Sequence, residues 1–170
     1  MKIPLRPSLL KVRRQSVKWI VLHHTSEIYP QPAAKIDNAK FQSPELFKGV
    51  LEQKTGDVNY HYVVEKIGED YYPIVTRPFV YLCEWPDIDV NMNNRAIHIA
   101  LLGNYDLAVP EIRLYEILSF RLLNPFMKMF GVTPKHIKLH RDVSNEDISC
   151  PGDFVDMGRI ESLVRRFVIK

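Results

Sequence analysis

His140 and Cys150 stand with nine residues between them, and Cys150 opens onto Pro151-Gly152. An imidazole and a thiolate joined by a loop supply half of a zinc site, since zinc takes nitrogen and sulfur donors. The other half must come from elsewhere in the chain. The apolar run Trp19-Ile20-Val21-Leu22 ends in His23-His24-Thr25, and this is the best second source of imidazole. A structural zinc site needs a fourth strong ligand, yet beyond that pair only His61, His98 and His136 remain, and no Cys-x-x-Cys pair exists. Three ligands from two distant segments favour an open site that keeps a water. On zinc, that water's pKa falls to about 7, which makes it a nucleophile for a carbonyl.

Positioning such a site requires strands that end in ligands. Residues 17–22 are rich in β-branched and aromatic side chains and read as a strand buried on both faces. Its C-terminal end carries the histidines, where α/β folds place ligands. Pro30 and Pro32 mark a loop, and Ser43-Pro44-Glu45 reads as the start of a helix over 44–53 that ends at Thr55-Gly56-Asp57. Residues 58–66 and 71–75 read as a hairpin turning at 67–70. Residues 77–86 read as irregular or edge, and 87–94 as a polar loop over the site. Another buried strand runs over 96–102. The longest helical pattern starts at Pro110-Glu111, with Ile112, Tyr115, Leu118, Leu122 and Phe126 on one face. Asn124-Pro125 predicts a kink or break, and Gly131 a cap. A short strand over 136–139 leads to His140. Asp153 or Asp156 caps a last helix to about residue 168, with Ile160, Leu163, Val164 and Phe167 facing in. The order of elements predicts an α/β fold: one domain, a central mixed sheet flanked by helices.

The 170 residues, 46% hydrophobic and 25% charged, suit one soluble domain. No apolar run approaches the roughly 20 residues of a membrane span. Residues 1–18 hold six basic side chains and no acid, leaving 17 basic and 20 acidic residues in the remainder. We read 1–16 as a basic arm and 17–170 as the domain. The arm is either a solvated lead-in or an attraction for an anionic polymer. It lacks the apolar core of a signal peptide, so no export signal is expected. Of the two cysteines, Cys83 is expected as a buried or semi-buried free thiol if Cys150 ligates metal, the alternative being a disulfide between them.

Four stretches in order now carry a resemblance: 20–25 (Ile-Val-Leu-His-His-Thr), 59–64 (Asn-Tyr-His-Tyr-Val-Val), 97–105 ending Leu-Leu-Gly-Asn-Tyr, and His140-Arg141-Asp142 with Cys150-Pro151-Gly152. The chain resembles the zinc-dependent N-acetylmuramoyl-L-alanine amidases, whose fold is shared with phage amidase-type lysozymes and peptidoglycan recognition proteins. The resemblance implies that His23, His140 and Cys150 bind Zn2+ and that His24 lies behind them or in the core. It also implies that Tyr60 donates to the oxyanion of a tetrahedral intermediate. The implied reaction is attack of the metal-bound water on the amide between N-acetylmuramic acid and L-alanine of peptidoglycan. The alternative is a weakly catalytic or non-catalytic peptidoglycan-binding protein of the same fold. No specific nucleic-acid partner is implied, and a monomer is expected. The chain is expected in the cytoplasm until released or secreted by a separate route, as a phage lysin, toxin or remodelling enzyme would be.

Three departures stand out. Ile148 occupies a position where active relatives carry lysine or threonine as a second oxyanion donor; either Tyr60 acts alone or a neighbour such as Ser149 substitutes. His98 replaces a glycine, and Glu84-Trp85-Pro86-Asp87 occupies the place of a groove histidine. His61 is read as structural, while His98 faces either cleft or core. Trp85 is either a sugar platform or packing. Asp142 either orients His140 or caps the loop.

Overall fold

The computed structural model describes residues 11–26 and 59–168, with side chains as far as Val164. The helix predicted over 44–53, the prolines at 30 and 32, residues 1–10 of the arm and the Phe167 side chain lie outside the described residues. No helix among the described residues is long and apolar enough to cross a membrane.

Strands β1 (Trp19–His24), β2 (Tyr62–Ile67), β3 (Asp70–Val75), β4 (Ala96–Leu101) and β5 (Ile137–Leu139) form one sheet in the order β3-β2-β4-β1-β5. β1 pairs in parallel with β4 and β5, β2 pairs in parallel with β4, and β3 adds an antiparallel edge. This is the mixed α/β sheet that the element order predicts. The central strands are near-continuous apolar runs because both of their faces are covered.

Alternation along these strands sorts the histidines. Ile20 and Leu22 join Ile97, Ile99 and Leu101 in the main core, packed with the helices. Val21 and Ala96 belong to a smaller cluster with Ile88, around which Trp19, Trp85, Met92 and Val143 pack. His23 shares the face of Val21, and His24 the face of Leu22. His98, whose Cα pairs with that of Val21, also faces the smaller cluster.

Among the described residues the α-helices are α1 (Val90–Asn93), α2 (Ile112–Ile117), α3 (Asn124–Phe130) and α4 (Met157–Val168). α1 corrects the reading of 87–94 as loop, because the Asp89 carboxylate accepts from the Asn91 and Met92 N–H groups and nucleates one turn. Between α2 and α3 the chain runs as a π turn, Leu118–Leu123, in which the Asn124 N–H reaches the Ser119 carbonyl. The kink or break expected at Pro125 is thus a widened turn. Proline has no N–H to give and its ring crowds the carbonyl four residues back, and the extra residue per turn relieves both conflicts. The predicted helix face shifts slightly as well: Ile112 is exposed, and Leu114 and Ile117 are buried in its stead. Gly131 ends α3 at φ 65°, and Asp156 caps α4 by accepting from the Arg159 N–H.

The hairpin turns at Gly68, where φ is 64°. β2 begins later than expected. Asn59 is drawn off the ladder, its side-chain oxygen accepting from the Glu84 N–H and from Arg77. The last residues of the basic arm lie against the same region. Val12 bridges Tyr81, and the Arg13 guanidinium donates to the carbonyls of Phe79, Asn94 and Ala96.

Candidate metal centre

β1 and β5 are parallel neighbours registered at Leu22 and Leu139, so the next residue of each is a histidine at the same end of the sheet. The ring centroids of His23 and His140 lie 4.4 Å apart. His140 opens a 3₁₀ turn, His140–Asp142, from which the chain loops out and returns at Cys150. The return is tied by Arg141, whose backbone N–H donates to the Cys150 carbonyl at 2.7 Å. Its guanidinium donates to the carbonyls of Ser149 at 3.2 Å and Gly152 at 2.7 Å. Gly152 passes so close to Tyr105 that a Cβ there would sit 2.4 Å from the Tyr105 carbonyl carbon. The His24 N–H completes the arrangement by donating to Cys150 Sγ at 3.4 Å.

The result is a cluster in which one ligand atom each from His23, His140 and Cys150 lies within 4.8 Å of the others. His23 Nδ1 and Cys150 Sγ are 3.9 Å apart. That is long for a direct hydrogen bond but close to the roughly 3.6 Å that separates N and S donors on one tetrahedral zinc. His140 Nε2 lies 2.7 Å from Asp87 Oδ2, a close polar contact not aligned as a hydrogen bond. His140 Nδ1 is buried and has no hydrogen-bond partner. Two imidazoles and a thiol around a gap of this size, with one nitrogen left unpartnered, suit a zinc ion.

The electrostatics are consistent with that fit. Burial, reinforced by the neighbouring histidines, holds His23 well below the usual imidazole range, and burial lowers His140 despite the nearby Asp87. Both rings are therefore neutral donors at physiological pH. Burial pushes the Cys150 thiol up to about 11, so a metal must displace a proton to gain the thiolate.

Around the cluster, Trp85 stacks on His23 with ring centroids 4.5 Å apart and planes 21° apart. Its indole N–H is buried without a hydrogen-bond partner. Tyr60 packs against both, 5.4 Å from the His23 ring and 5.3 Å from Trp85. His24 points the other way, where its Nδ1 accepts from the Tyr105 N–H at 3.2 Å. His61 is buried away from the cluster; its Nδ1 accepts from the His98 N–H at 3.0 Å. Cys83 is buried and forms no disulfide, as expected, with its Sγ 3.3 Å from His61 Nδ1.

Two expectations need correction. Asp142 is exposed, and Asp87 is the carboxylate beside His140, held in place by the Ser144 hydroxyl donating to it at 2.7 Å. Sequence reasoning missed Asp87 because it lies in the loop before α1, and tertiary contacts bring it near: the isolated bridge between Ile88 and Ser144 and the bond from the Ser144 hydroxyl. Ser149, considered as a replacement for the donor missing at Ile148, donates instead to Asp106 Oδ2 at 2.9 Å. That bond belongs to the loop's own framework, since Asp106 also accepts from the Asp153 N–H.

The sequence profile of the N-acetylmuramoyl-L-alanine amidase family matches residues 13–153. No curated protein matches in sequence. Among solved structures, the N-acetylmuramoyl-L-alanine amidase LysC from Clostridium intestinale URNW superposes with a TM-score of 0.60 at 22% identity, covering 91% of this chain and 87% of that one. The Ph2119 endolysin from a Thermus scotoductus bacteriophage gives 0.61 at 21% identity, covering 91% and 89%. The Drosophila peptidoglycan recognition protein PGRP-LB gives 0.57 at 18%, covering 93% and 85%. These structures share the fold.

Proposed function

The chain belongs to the N-acetylmuramoyl-L-alanine amidase family, and from that premise we propose that it is a zinc-dependent peptidoglycan hydrolase. In this reading it cleaves the amide between N-acetylmuramic acid and the L-alanine of the stem peptide. The observation that carries the proposal is the convergence of His23, His140 and Cys150 on one gap from two distant segments of the chain. A zinc ion held there would activate a water as nucleophile and polarise the carbonyl under attack.

The chain's own residues would do the rest. His23 and His140 would hold the cation as neutral imidazoles, and Cys150 would contribute the negative charge. Tyr60, packed beside His23, would donate its phenol to the oxygen on which charge develops. Trp85 covers one face of His23 and keeps bulk water off that side of the site. The domain proper is 17–170, preceded by the basic arm 1–16, and the chain works as a monomer on the cell wall in an endolysin-like role.

One observation favours a second reading. Ile148 has no group to donate, and the Ser149 hydroxyl is already engaged by Asp106. Loss of one oxyanion donor typically costs about 100- to 1000-fold in rate, so a peptidoglycan-binding protein with little turnover is the alternative.

The deciding experiment measures zinc content and stem-peptide release from purified peptidoglycan on one preparation, with and without chelator. One zinc per chain with chelator-sensitive release is expected, and Cys150→Ser should lose both. Zinc or wall binding without release moves the protein to the binding class. Absence of both zinc and wall affinity overturns the proposal.

A further inference from the structure

His98 is fully buried on the strand beside His23 and faces the same side of the sheet. Its Nδ1 lies 2.9 Å from His23 Nε2. Only one of those two nitrogens can carry the proton between them. Cys150 stands on the other side of the His23 ring, toward Nδ1. For Nδ1 to offer a lone pair to a cation, the His23 proton must sit on Nε2, and there it donates to His98 Nδ1. His98 then keeps its own proton on Nε2, an atom that is buried and has no hydrogen-bond partner.

The alternative arrangement, with His98 Nδ1–H donating, leaves the His23 proton on Nδ1 and removes the lone pair from the cation's side. His98 is itself held in place. Its backbone N–H donates to His61 Nδ1 at 3.0 Å, and its ring lies 14° from parallel to that of His61 at 6.0 Å. His61 Nε2 in turn sits 2.9 Å from the Tyr81 carbonyl, which fixes its proton there. The two histidines of the cluster are therefore backed by unlike partners: a carboxylate, Asp87, behind His140 and a neutral imidazole behind His23.

We propose that His98 is a positioning residue for metal capture, accepting the His23 Nε2 proton and so holding His23 in the tautomer whose Nδ1 faces Cys150. This rests on the metal reading of the cluster given above. A ring nitrogen is a weaker acceptor than a carboxylate, so His98 fixes the tautomer without adding charge to the buried face. Outer partners of this kind are typically worth about 10- to 100-fold in metal affinity.

The test compares the unaltered protein with His98→Asn, whose side-chain oxygen can replace the Nδ1 acceptor, and with His98→Leu, which cannot accept. Co(II) affinity is measured by its thiolate absorption, and the protonation state of His23 by nitrogen-resolved imidazole spectra of the metal-free protein. The expected result is an Nε2-protonated His23 in the unaltered chain. Co(II) affinity should fall about 10- to 100-fold in the leucine variant and largely recover in the asparagine variant. An Nδ1-protonated His23 in the unaltered protein overturns the role of His98, and that measurement needs no variant to fold. Equal losses in both variants, or none in the leucine variant, overturn it as well. Failure of the unaltered chain to bind Co(II) sinks the metal reading instead, and the tautomer measurement distinguishes the two failures.

Discussion

Two side chains near the cluster make separable contributions. Tyr60 offers a hydroxyl but no metal ligand, so Tyr60→Phe should keep the bound zinc while hydrolysis drops by about 100- to 1000-fold. An unchanged rate at full metal content would remove Tyr60 from the chemistry. Asp87 touches His140 and the Ser144 hydroxyl and lies outside the donor cluster. Asp87→Ala should therefore weaken zinc binding by about 10- to 100-fold, read by competition against a chelator of known affinity. A variant that binds zinc as tightly as the parent would show that Asp87 serves the loop alone. The contrast between these residues and the proposed ligands explains what the sequence could reveal. Zinc restricts its donors to a few residue types, so His23, His140 and Cys150 stand out in a chain with six histidines and two cysteines. The groups behind the proposed ligands need only accept a proton at the right place. Nothing in composition or spacing marks Asp87, or settles which way His98 faces, before strand pairing is known.

At the level of elements, local patterns predicted β1, β3, β4 and β5 and both ends of the hairpin turn, because alternation and turn chemistry are local. The π turn before Pro125 and the helical turn at Val90–Asn93 escaped, since each depends on how a strained or capped segment settles against the rest of the molecule. The loop returning at Cys150 lies between these cases. Its Pro-Gly sequence announces a turn, but the tolerance at Gly152 is set by Tyr105. There φ is +108°, and a Cβ would meet three Tyr105 atoms at 2.4 to 2.7 Å, two of them backbone. Backbone cannot rotate aside as a side chain does. Gly152→Ala should thus cost about 3 kcal/mol, combining overpacking with an unfavourable φ. Because Arg141 ties Gly152 and Cys150 to the same guanidinium and backbone, zinc affinity should fall along with the thermal midpoint. An alanine variant that melts with the parent would mean that the loop moves freely away from Tyr105, and that Cys150 is not held by it.

On the scale of the whole molecule, five of the six histidines are buried, which couples the fold to pH. Burial lowers His23 and His98 well below the usual imidazole value, lowers His24 and His140, and brings His61 down to about 4. An imidazole depressed in the folded state binds its proton more readily when the chain unfolds. Its contribution is therefore fully present above the unfolded value near 6.5 and is lost as pH falls from there through the folded value. For His61 that window runs from about 6.5 to about 4 and amounts to about 3 kcal/mol, most of it gone by pH 4.5. His23 and His98 act in the same direction and extend the loss to lower pH. Glu65, raised by burial, acts in the opposite direction as pH falls toward its ordinary value. Set against a total stability of about 5–15 kcal/mol for a domain, these histidines should make the metal-free protein acid-labile while its carboxylates are still largely ionised. Urea denaturation of metal-free protein at pH 7.5, 6 and 5 should show the midpoint falling at each step, with little change between 7.5 and 8.5. A midpoint that holds steady from 7.5 to 5 would mean that the imidazoles accept protons without unfolding, and that the buried face carrying His23 and His98 opens to water in the metal-free state.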